Sequence, residues 1–237
     1  FVFPIGTGPL RPAVEAIREF ARFKGYPMTL RGITEAHREM LDKEYPGAFE
    51  YSEDVDCADY IYSAEKLSTY SGKALHGKKN HCNRFEAEHD WDFVPLTREL
   101  IPGCLDMLNM WTEENYARLD GSIHYEHDAI MRAFAVYEKL GLEGGVLRSG
   151  GKIIGFSMGE MAGRDTFDVH FEKADIDING AYPMVCRELT RMVMQNHPEL
   201  LYMNREDDMG LESLRTSKLS YKPEYLLKKY TARWLDE

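Results

Sequence analysis

Residues 167–204 read FDVHFEKADIDINGAYPMVCRELTRMVMQNHPELLYMN, and they contain a strand, a helix and a second strand in succession. Residues 167–171 alternate apolar and polar side chains, which is typical of a strand with one buried face. Residues 181–195 have the apolar spacing of a helix, and residues 200–204 form another short apolar run. This segment therefore predicts a β-α-β unit, around which the rest of the chain is arranged.

The remaining elements predict two α/β domains with mixed sheets. Before residue 90 the pattern predicts strands at residues 1–5, 28–32 and 60–62, and helices at 12–24, 34–45 and 64–89. From residue 91 it predicts strands at 92–96, 144–148 and 152–159, and helices at 97–117, 125–140, 212–219 and 224–230. Thr34 and His37 are not predicted to form a capping box. We therefore expect a domain at residues 1–90, truncated at its amino terminus, and a second at residues 91–237.

Charge and composition restrict the classes of function. The 237 residues include 29 Lys and Arg against 40 Asp and Glu, which gives a net charge of −11. This acidic excess argues against a protein that coats nucleic acid, and no sequence-specific DNA binding is expected. No apolar run reaches the roughly 18–20 residues of a membrane-spanning helix. Since 43% of the residues are hydrophobic, we expect a substantial core. With no membrane-spanning run and few, scattered cysteines, we expect a cytoplasmic protein.

Neither a metal site nor a catalytic triad is predicted. The four cysteines lie far apart and form no CxxC pair, which indicates reduced, partly buried thiols. His124 and His127 lie near the carboxylate of Glu126, but no further ligand follows at a known metal-binding spacing. Ser157 matches G-x-S-x-G by letters, yet it lies within a predicted hairpin rather than at a strand-to-helix turn.

Residues 66–85 invert the charge of the chain, because they contain five lysines and arginines and no acid. Basic side chains that are grouped in this way are suited to contacts with the phosphates of a nucleic acid. The residues that we predict to contact phosphate or tRNA are Lys73, Lys78, Lys79 and Arg84. The alternative interpretation is a helix face that is simply solvated.

The element order from residue 91 resembles that of the GNAT acyltransferase fold. A strand, two helices, three antiparallel strands, a helix and a further strand follow one another. The resemblance implies that the sheet splays between the strands at residues 167–171 and 200–204, and that the opening holds an acyl donor. A glycine-rich loop that binds the pyrophosphate of coenzyme A is typical of the intervening helix start. Residues 178–182 read INGAY instead, with a single glycine, which disfavours a coenzyme A thioester.

Three further sets of residues are informative: YSAEKL at 62–67 with SGKALHGKKNHCNRF at 71–85, DIDINGAY at 175–182, and NREDDMG at 204–210 with LRTSKLSYKP at 214–223. Together they resemble the phosphatidylglycerol lysyltransferase carboxy-terminal domain family over nearly the whole chain. This family is a tandem GNAT-like group that also covers soluble bacterial proteins. The resemblance implies two tandem GNAT-like domains and an aminoacyl transfer.

The candidate site residues border the implied splay. The candidates for acid–base catalysis are Glu172, His170, Glu206 and Asp207. The candidates for contact with a bound donor or cofactor are Asn179, Gly180, Ala181, Tyr182 and Asn204. Because His170 and Glu172 are two positions apart on a predicted strand, both should point to the face opposite Phe171. The alternative for the acids at residues 206–208 is a solvated turn before the next helix, whose charge Lys218 would neutralise.

We expect a transferase that moves an aminoacyl or acyl group to a small or peptide acceptor in the cleft of the second domain. Aminoacyl-tRNA is favoured as the donor over a coenzyme A thioester, and no other cofactor is assigned. The alternative is a non-catalytic GNAT-like protein that binds a small charged ligand or a protein partner. The acidic net charge and the missing pyrophosphate loop favour the alternative, whereas the polar strand ends favour the transferase.

Overall fold

The structure is a computed structural model that describes residues 1–115 and 122–235. The helices in these residues are α1 (Leu10–Lys24), α2 (Glu35–Glu44), α3 (Ala64–Thr69), α4 (His76–Glu88), α5 (Ile101–Asn115), α6 (Ser122–Ala135), α7 (Tyr137–Leu140), α8 (Ala181–Asn196) and α9 (Glu212–Ser220). The strands are β1 (Thr29–Ile33), β2 (Phe49–Glu53), β3 (Asp59–Ser63), β4 (Trp91–Pro95), β5 (Glu143–Ser149), β6 (Lys152–Met161), β7 (Thr166–Ala174), β8 (Tyr202–Asn204), β9 (Tyr225–Leu227) and β10 (Tyr230–Trp234).

The chain divides into two compact units whose limits differ from the division expected near residue 90. The first unit comprises Phe1–Tyr60, Glu206–Thr216 and Tyr225–Glu237, and the second comprises Ile61–Arg205 and Ser217–Glu224. The first unit is discontinuous because β10, near the carboxyl terminus, pairs between β1 and β2. A pattern read in chain order does not reveal this return, since the pairing joins segments from opposite ends of the sequence.

The first unit is built on a three-stranded antiparallel sheet in the order β1-β10-β2. Its core buries Val14 of α1 and Leu41 of α2 against this sheet. The ring of Trp234 lies edge-on to Tyr45 and Phe49, with centroids 5.2 and 4.9 Å away. Aromatic pairs in this arrangement stabilise a core beyond their buried area. The last strand therefore holds the first unit together.

The start of α2 is a capping box, so the sequence prediction at this point is wrong. The Thr34 side chain accepts a hydrogen bond from the His37 backbone at 3.4 Å, and His37 Nδ1 accepts one from the Thr34 backbone at 3.2 Å. The usual pattern requires Glu or Gln at the third position, whereas a neutral imidazole supplies the same kind of acceptor. Burial lowers the pKa of His37, which favours this neutral form.

The second unit is built on a mixed sheet in the order β4-β5-β6-β7-β8-β3. Neighbouring strands are antiparallel except for β7 and β8, which run parallel. One core cluster packs Leu108 of α5 and Ile130 of α6 against Phe156 of β6. Helix α8 approaches β6 closely at Gly155, where a Cβ atom would lie 2.8 Å from a methyl group of Val185. The β-α-β unit predicted at residues 167–204 is confirmed as β7-α8-β8.

Several elements differ from the sequence predictions. The tail at residues 224–230, predicted as helix, contributes strands β9 and β10, and residues 230–234 alternate between more and less buried positions. Residues 1–5 contribute only a bridge between Val2 and Arg31, and the sequence pattern does not predict β2. The helix predicted at 125–140 is divided between α6 and α7. Residues 116–117 of the helix predicted at 97–117 lie outside the described residues.

Candidate functional site

Strands β7 and β8 separate after a short paired segment. Thr166 pairs with Tyr202 and Asp168 with Asn204, after which β8 ends while β7 continues to Ala174. The hydrogen-bonded pairing of the two strands therefore ends in the second unit, between the strands where the sequence predicts a splay. We call the region between residues 169–174 of β7 and residue 205 the cleft.

An arginine side chain bridges the cleft. Arg205 Nη2 donates to Glu172 Oε1 at 2.7 Å, and the two side chains are only 13% and 8% exposed. The other terminal nitrogen of this guanidinium, Nη1, is buried and has no hydrogen-bond partner among the described residues. A buried donor without an acceptor costs about 1–3 kcal/mol. The Arg205 guanidinium therefore holds a buried hydrogen-bond donor that no described residue satisfies.

A buried tyrosine ring carries two cations in the second unit. The Arg205 guanidinium lies 4.5 Å from the centroid of Tyr221, and Lys78 Nζ lies 3.7 Å from the same centroid. Attraction to the ring faces stabilises both cations. Within the described part of the chain Lys78 forms no ion pair, so this cluster holds two cations and one carboxylate, that of Glu172. The local excess is positive, in a chain whose net charge is −11.

Burial and neighbouring charges shift the pKa values of this cluster. Burial lowers the pKa of Lys78, and the positive charge of Arg205 lowers it further. Burial alone would also lower the pKa of Arg205, but Glu172 is the largest of the groups that raise it, and the result lies well above the usual value. Burial raises the pKa of the Cys186 thiol to about 11. Arg205 therefore stays charged and Cys186 stays neutral at physiological pH.

The backbone of Arg205 is also held in place. Lys218, which is buried, donates from Nζ to the carbonyl oxygen of Arg205. The hydroxyl group of Tyr62 in turn donates to the carbonyl oxygen of Lys218 at 2.8 Å. A residue fixed through both its backbone and its side chain loses little conformational freedom when a ligand binds.

His170 occupies an irregular position on β7. Met158 of β6 pairs with Phe171, and Gly159 pairs with Val169, so His170 is an additional residue in the ladder. Such a bulge redirects a side chain and interrupts simple alternation. His170 Nε2 lies 3.2 Å from Glu160 Oε1, whereas Glu172 binds Arg205. His170 and Glu172, the two acid–base candidates on this strand, therefore contact different residues, Glu160 and Arg205 respectively.

The residues predicted to bind a cofactor lie at the start of α8, where they contact α4. His81 Nδ1 lies 2.7 Å from Asn179 Oδ1. Gly180 has a φ of 92°, and a Cβ atom there would lie 2.7 Å from the backbone oxygen of His81. Ala181 is buried, and its N–H donates to Ile178 O at 3.1 Å. Asn179 and Gly180 are therefore used in packing the start of α8 against α4, and the Ala181 N–H closes a local turn.

Tyr182 and Asn204, the other two residues predicted to contact a bound donor or cofactor, also lie within the second unit. Burial raises the pKa of Tyr182 to about 12. Asn204 is 7% exposed, and its backbone pairs with Asp168 of β7 on one side and Ile61 of β3 on the other. Asn204 is therefore the last residue before the strands part, and Arg205 follows it directly.

A family model for the carboxy-terminal part of phosphatidylglycerol lysyltransferase matches residues 1–233 of the chain. The chain belongs to this family. A conserved protein of unknown function from Bacteroides thetaiotaomicron VPI-5482 is 36% identical to it, and its crystal structure superimposes with a TM-score of 0.92. That comparison covers 99% of this chain and 78% of the other.

More distant relatives share the fold. The structure of L-PGS from Bacillus licheniformis has 17% identity and a TM-score of 0.66, covering 100% of this chain and 77% of that one. FemX has 10% identity and the same TM-score, covering 99% and 80%. An uncharacterised protein of Mycoplasmoides gallisepticum is 29% identical over 178 residues, 74% of this chain, which spans only 56% of that relative's length. The predicted family and the GNAT-like α/β fold with a mixed sheet are confirmed.

In this lysyltransferase-family chain the acidic turn after β8 belongs to the first unit. The carboxylate of Asp208 is buried and accepts hydrogen bonds from Arg215 at 2.8 and 3.0 Å and from the Tyr60 hydroxyl. The Arg215 hydrogen bond is the main reason why the pKa of Asp208 lies below its usual range. Asp207 accepts from the backbone two residues later at 3.1 Å, and the Glu206 backbone has a φ of 54°. Asp208 therefore organises this turn.

The basic stretch of the family motif is not one uniform surface. Lys73 and Lys79 are exposed. Arg84 Nε donates to Glu88 Oε1 at 2.9 Å on the surface of α4. Lys78 is partly buried and lies against the ring of Tyr221. The structure therefore separates Lys78 from its neighbour Lys79, although the sequence groups them.

The remaining nucleophiles are enclosed by the fold of this family. Ser157 is fully buried in β6, and its hydroxyl group donates to Phe171 O at 2.8 Å. The predicted hairpin around it is confirmed, because β5 and β6 pair antiparallel across residues 149–152. The four cysteines are free thiols, and three of them are buried. Among the described helices, none has both the length and the apolar character that crossing a membrane requires.

Sequence reasoning missed Arg205 and Tyr221 as members of the site. Both lie in stretches that carry the family resemblance, NREDDMG and LRTSKLSYKP. The signal that was available is Glu172, because a carboxylate predicted to border a buried splay needs a cation partner. Arg205 directly follows the strand across the splay, and it was therefore the basic residue to consider first.

Proposed function

We propose that this protein transfers an aminoacyl group from an ester donor to an amine or hydroxyl acceptor in the cleft. In the amine case, the acceptor nitrogen attacks the ester carbonyl, the new C–N bond forms and the C–O bond to the donor ribose breaks. The proton released by the amine ends on the departing oxygen. Family membership supports this class of reaction, and the unsatisfied Nη1 donor of Arg205 is the observation that carries it.

Arg205 supplies the group that stabilises negative charge. As the carbonyl carbon becomes tetrahedral, its oxygen gains charge and accepts a hydrogen bond from Nη1. Glu172 holds the opposite side of the guanidinium through Nη2, and Tyr221 supports its plane. A hydrogen-bond donor that is already in position before the reaction contributes a factor of about 10²–10³ to the rate. Lys78 adds positive charge nearby without a carboxylate of its own among the described residues.

His170 is the side chain on β7 that we assign to proton transfer. Imidazole exchanges protons near neutral pH, which suits a group that takes a proton from the acceptor and returns it to the leaving oxygen. Glu160, 3.2 Å from His170 Nε2, orients the ring. Glu206 and Asp207, which the sequence also predicts as acid–base candidates, lie in the first unit, and we assign them no role in the cleft.

A coenzyme A thioester is disfavoured by the start of α8. A pyrophosphate requires free backbone N–H groups in the first helical turn. Ala181 N is already bonded to Ile178 O, and Pro183 has no N–H. Asp175 and Asp177 precede the helix and repel an anion. Aminoacyl-tRNA is the donor that we favour, with its phosphates near Lys73, Lys79 and Arg84, and this donor would place the reaction in the cytoplasm.

An assay with hydroxylamine tests the reaction without knowledge of the natural acceptor. Hydroxylamine is a small amine that would convert the aminoacyl ester of labelled aminoacyl-tRNA to a hydroxamate. We expect the protein to accelerate hydroxamate formation. Arg205→Lys should lower the rate about 100-fold, because lysine lacks the planar guanidinium that holds its hydrogen-bond donors in fixed positions. Arg164→Lys, at an exposed pair outside the basic stretch, is the matched control and should act like the parent. No acceleration with any aminoacyl-tRNA would contradict the proposal.

The second candidate is a protein that binds a charged small molecule in the cleft without turnover. The packing of Asn179 and Gly180 against α4 favours it, because an acyltransferase usually keeps that loop open for its donor. The two candidates are separated by mass spectrometry of ligands that co-purify with the protein. A ligand that hydroxylamine converts no faster with the protein than without it supports binding alone, whereas faster conversion to a hydroxamate supports the transferase.

A further inference from the structure

A pocket of about 400 Å³ lies in the second unit, between α5 and the start of β6. Small-molecule sites range from about 300 to 1,000 Å³, so this pocket has room for one compact ligand. Gly103 shapes one end, because a Cβ atom there would lie 2.8 Å from the Cδ1 atom of Ile153. The absence of a side chain thus lets α5 approach β6 at this point.

The walls of the pocket are apolar. Met107, Met110 and Trp111 come from successive turns of α5, and Ile153 and Ile154 come from β6. Met110 is 61% exposed, so its side chain can be reached from solvent. Methionine adapts its shape to different ligands, because its side chain is unbranched and flexible. These walls suit the apolar body of a small molecule.

The polar groups of the pocket carry a net negative charge. Asp106 and Asp175 line it together with a single basic residue, Lys152. Asp175 is fixed by its neighbours, since its N–H donates to Ile154 O at 2.8 Å and its Oδ1 accepts from Asp177 N at 2.9 Å. Asp106 forms no ion pair or hydrogen bond with any residue that the structure describes. Its carboxylate is therefore available to a ligand.

The pocket is separate from the cleft. Trp111 forms part of the pocket wall, and Lys173 Nζ lies 3.9 Å from the centroid of its ring. Lys173 is in turn ion-paired with Glu126 at 2.7 Å. Lys173 directly follows Glu172 on β7, and successive strand residues point to opposite faces. The pocket ligand and the cleft ligand would therefore lie on opposite sides of the same strand.

We propose that this pocket binds an organic cation, an amine with an apolar body whose ammonium group lies between Asp106 and Asp175. The apolar part lies against Met107, Met110 and Trp111. Anionic ligands are disfavoured, because the two carboxylates outnumber the one lysine. This proposal does not depend on the aminoacyl transfer in the cleft.

Calorimetric titration of the full chain with phenylbutylamine tests the proposal, with phenylbutyrate as an anion of similar size and apolar body. We expect saturable binding of the amine and none of the acid. Asp106→Asn and Asp175→Asn should each weaken amine binding about tenfold, because each removes a charge-assisted contact. Asp128→Asn, an exposed acid of α6, is the matched control and should leave the affinity unchanged.

Three results would overturn the proposal: the amine fails to bind, the acid binds as well as the amine, or the double Asp106→Asn/Asp175→Asn variant binds the amine with parental affinity. Far-UV circular dichroism checks that each variant is folded. If a variant is unfolded, Asp106→Glu provides a second test, because it retains the charge and should preserve selectivity for the amine over the acid.

Discussion

The start of α8 and the cleft between β7 and β8 both carry residues predicted to meet a ligand, but they differ in how their polar groups are bonded. At the start of α8, Asn179 contacts His81, and Gly180 packs against the backbone of α4. In the cleft, Arg205 keeps one buried nitrogen without an acceptor among the described residues. Residue type alone therefore does not identify a site. A polar group that the protein leaves unsatisfied is the more informative sign.

Loss of the Arg205–Glu172 pair should have the largest effect on stability. Arg205→Met leaves the carboxylate of Glu172 buried without its cation, and breaking a buried pair in this way costs about 3–5 kcal/mol. The double variant Arg205→Met/Glu172→Met should be more stable than Arg205→Met, because no unpaired charge remains. Urea denaturation measures both free energies of unfolding. A loss below about 1 kcal/mol for Arg205→Met would show that the pair is solvated, as surface pairs are.

Gly180→Ala tests the contact between the start of α8 and the backbone of α4. The substitution places a Cβ atom 2.7 Å from the backbone oxygen of His81 and imposes a φ of 92° on alanine. We expect a loss of about 1–3 kcal/mol in the free energy of unfolding. Gly151→Ala is the control, because it has a similar φ of 77° but open space around it. Equal losses at the two glycines would mean that contact with α4 contributes nothing.

The burial of Lys78 predicts a smaller, pH-dependent effect. Its pKa is lowered in the folded protein by burial and by Arg205, so the unfolded chain holds the proton to higher pH. Stability contributed by this residue should therefore rise as the pH increases from the lowered pKa toward the ordinary lysine value. The Lys78→Met variant should lack this rise, whereas the Lys79→Met variant should keep it. Denaturation midpoints between neutral and alkaline pH provide the measurement.

Arg84→Ala should have the smallest effect. Its partner Glu88 is one helical turn away, and the side chains of Arg84 and Glu88 are 61% and 50% exposed. Such pairs contribute roughly 0.5 kcal/mol or less to stability. Thermal denaturation should show a midpoint close to that of the parent. A large decrease would mean that α4 depends on this pair more than its exposure indicates.

The sequence predicts the β7-α8-β8 unit and the hairpin of β5 and β6, because each has strong local periodicity or a glycine turn. It does not predict β10, since that strand is recognised by its partners β1 and β2 rather than by its own pattern. In the site it predicts Glu172, a polar residue at a strand end. Arg205 and Tyr221 escape notice because their roles depend on burial against each other, which spacing along the chain does not encode.

The position of a bound donor analogue tests whether Arg205 binds the carbonyl group of the donor. A non-hydrolysable 3′-aminoacylamido analogue of adenosine, soaked into crystals of the protein, would show where the carbonyl oxygen lies. We predict that this oxygen accepts a hydrogen bond from Arg205 Nη1 in the cleft, at about 2.7–3.2 Å. Binding of the analogue at the start of α8, against Asn179 and Gly180 and away from Arg205, would contradict the account.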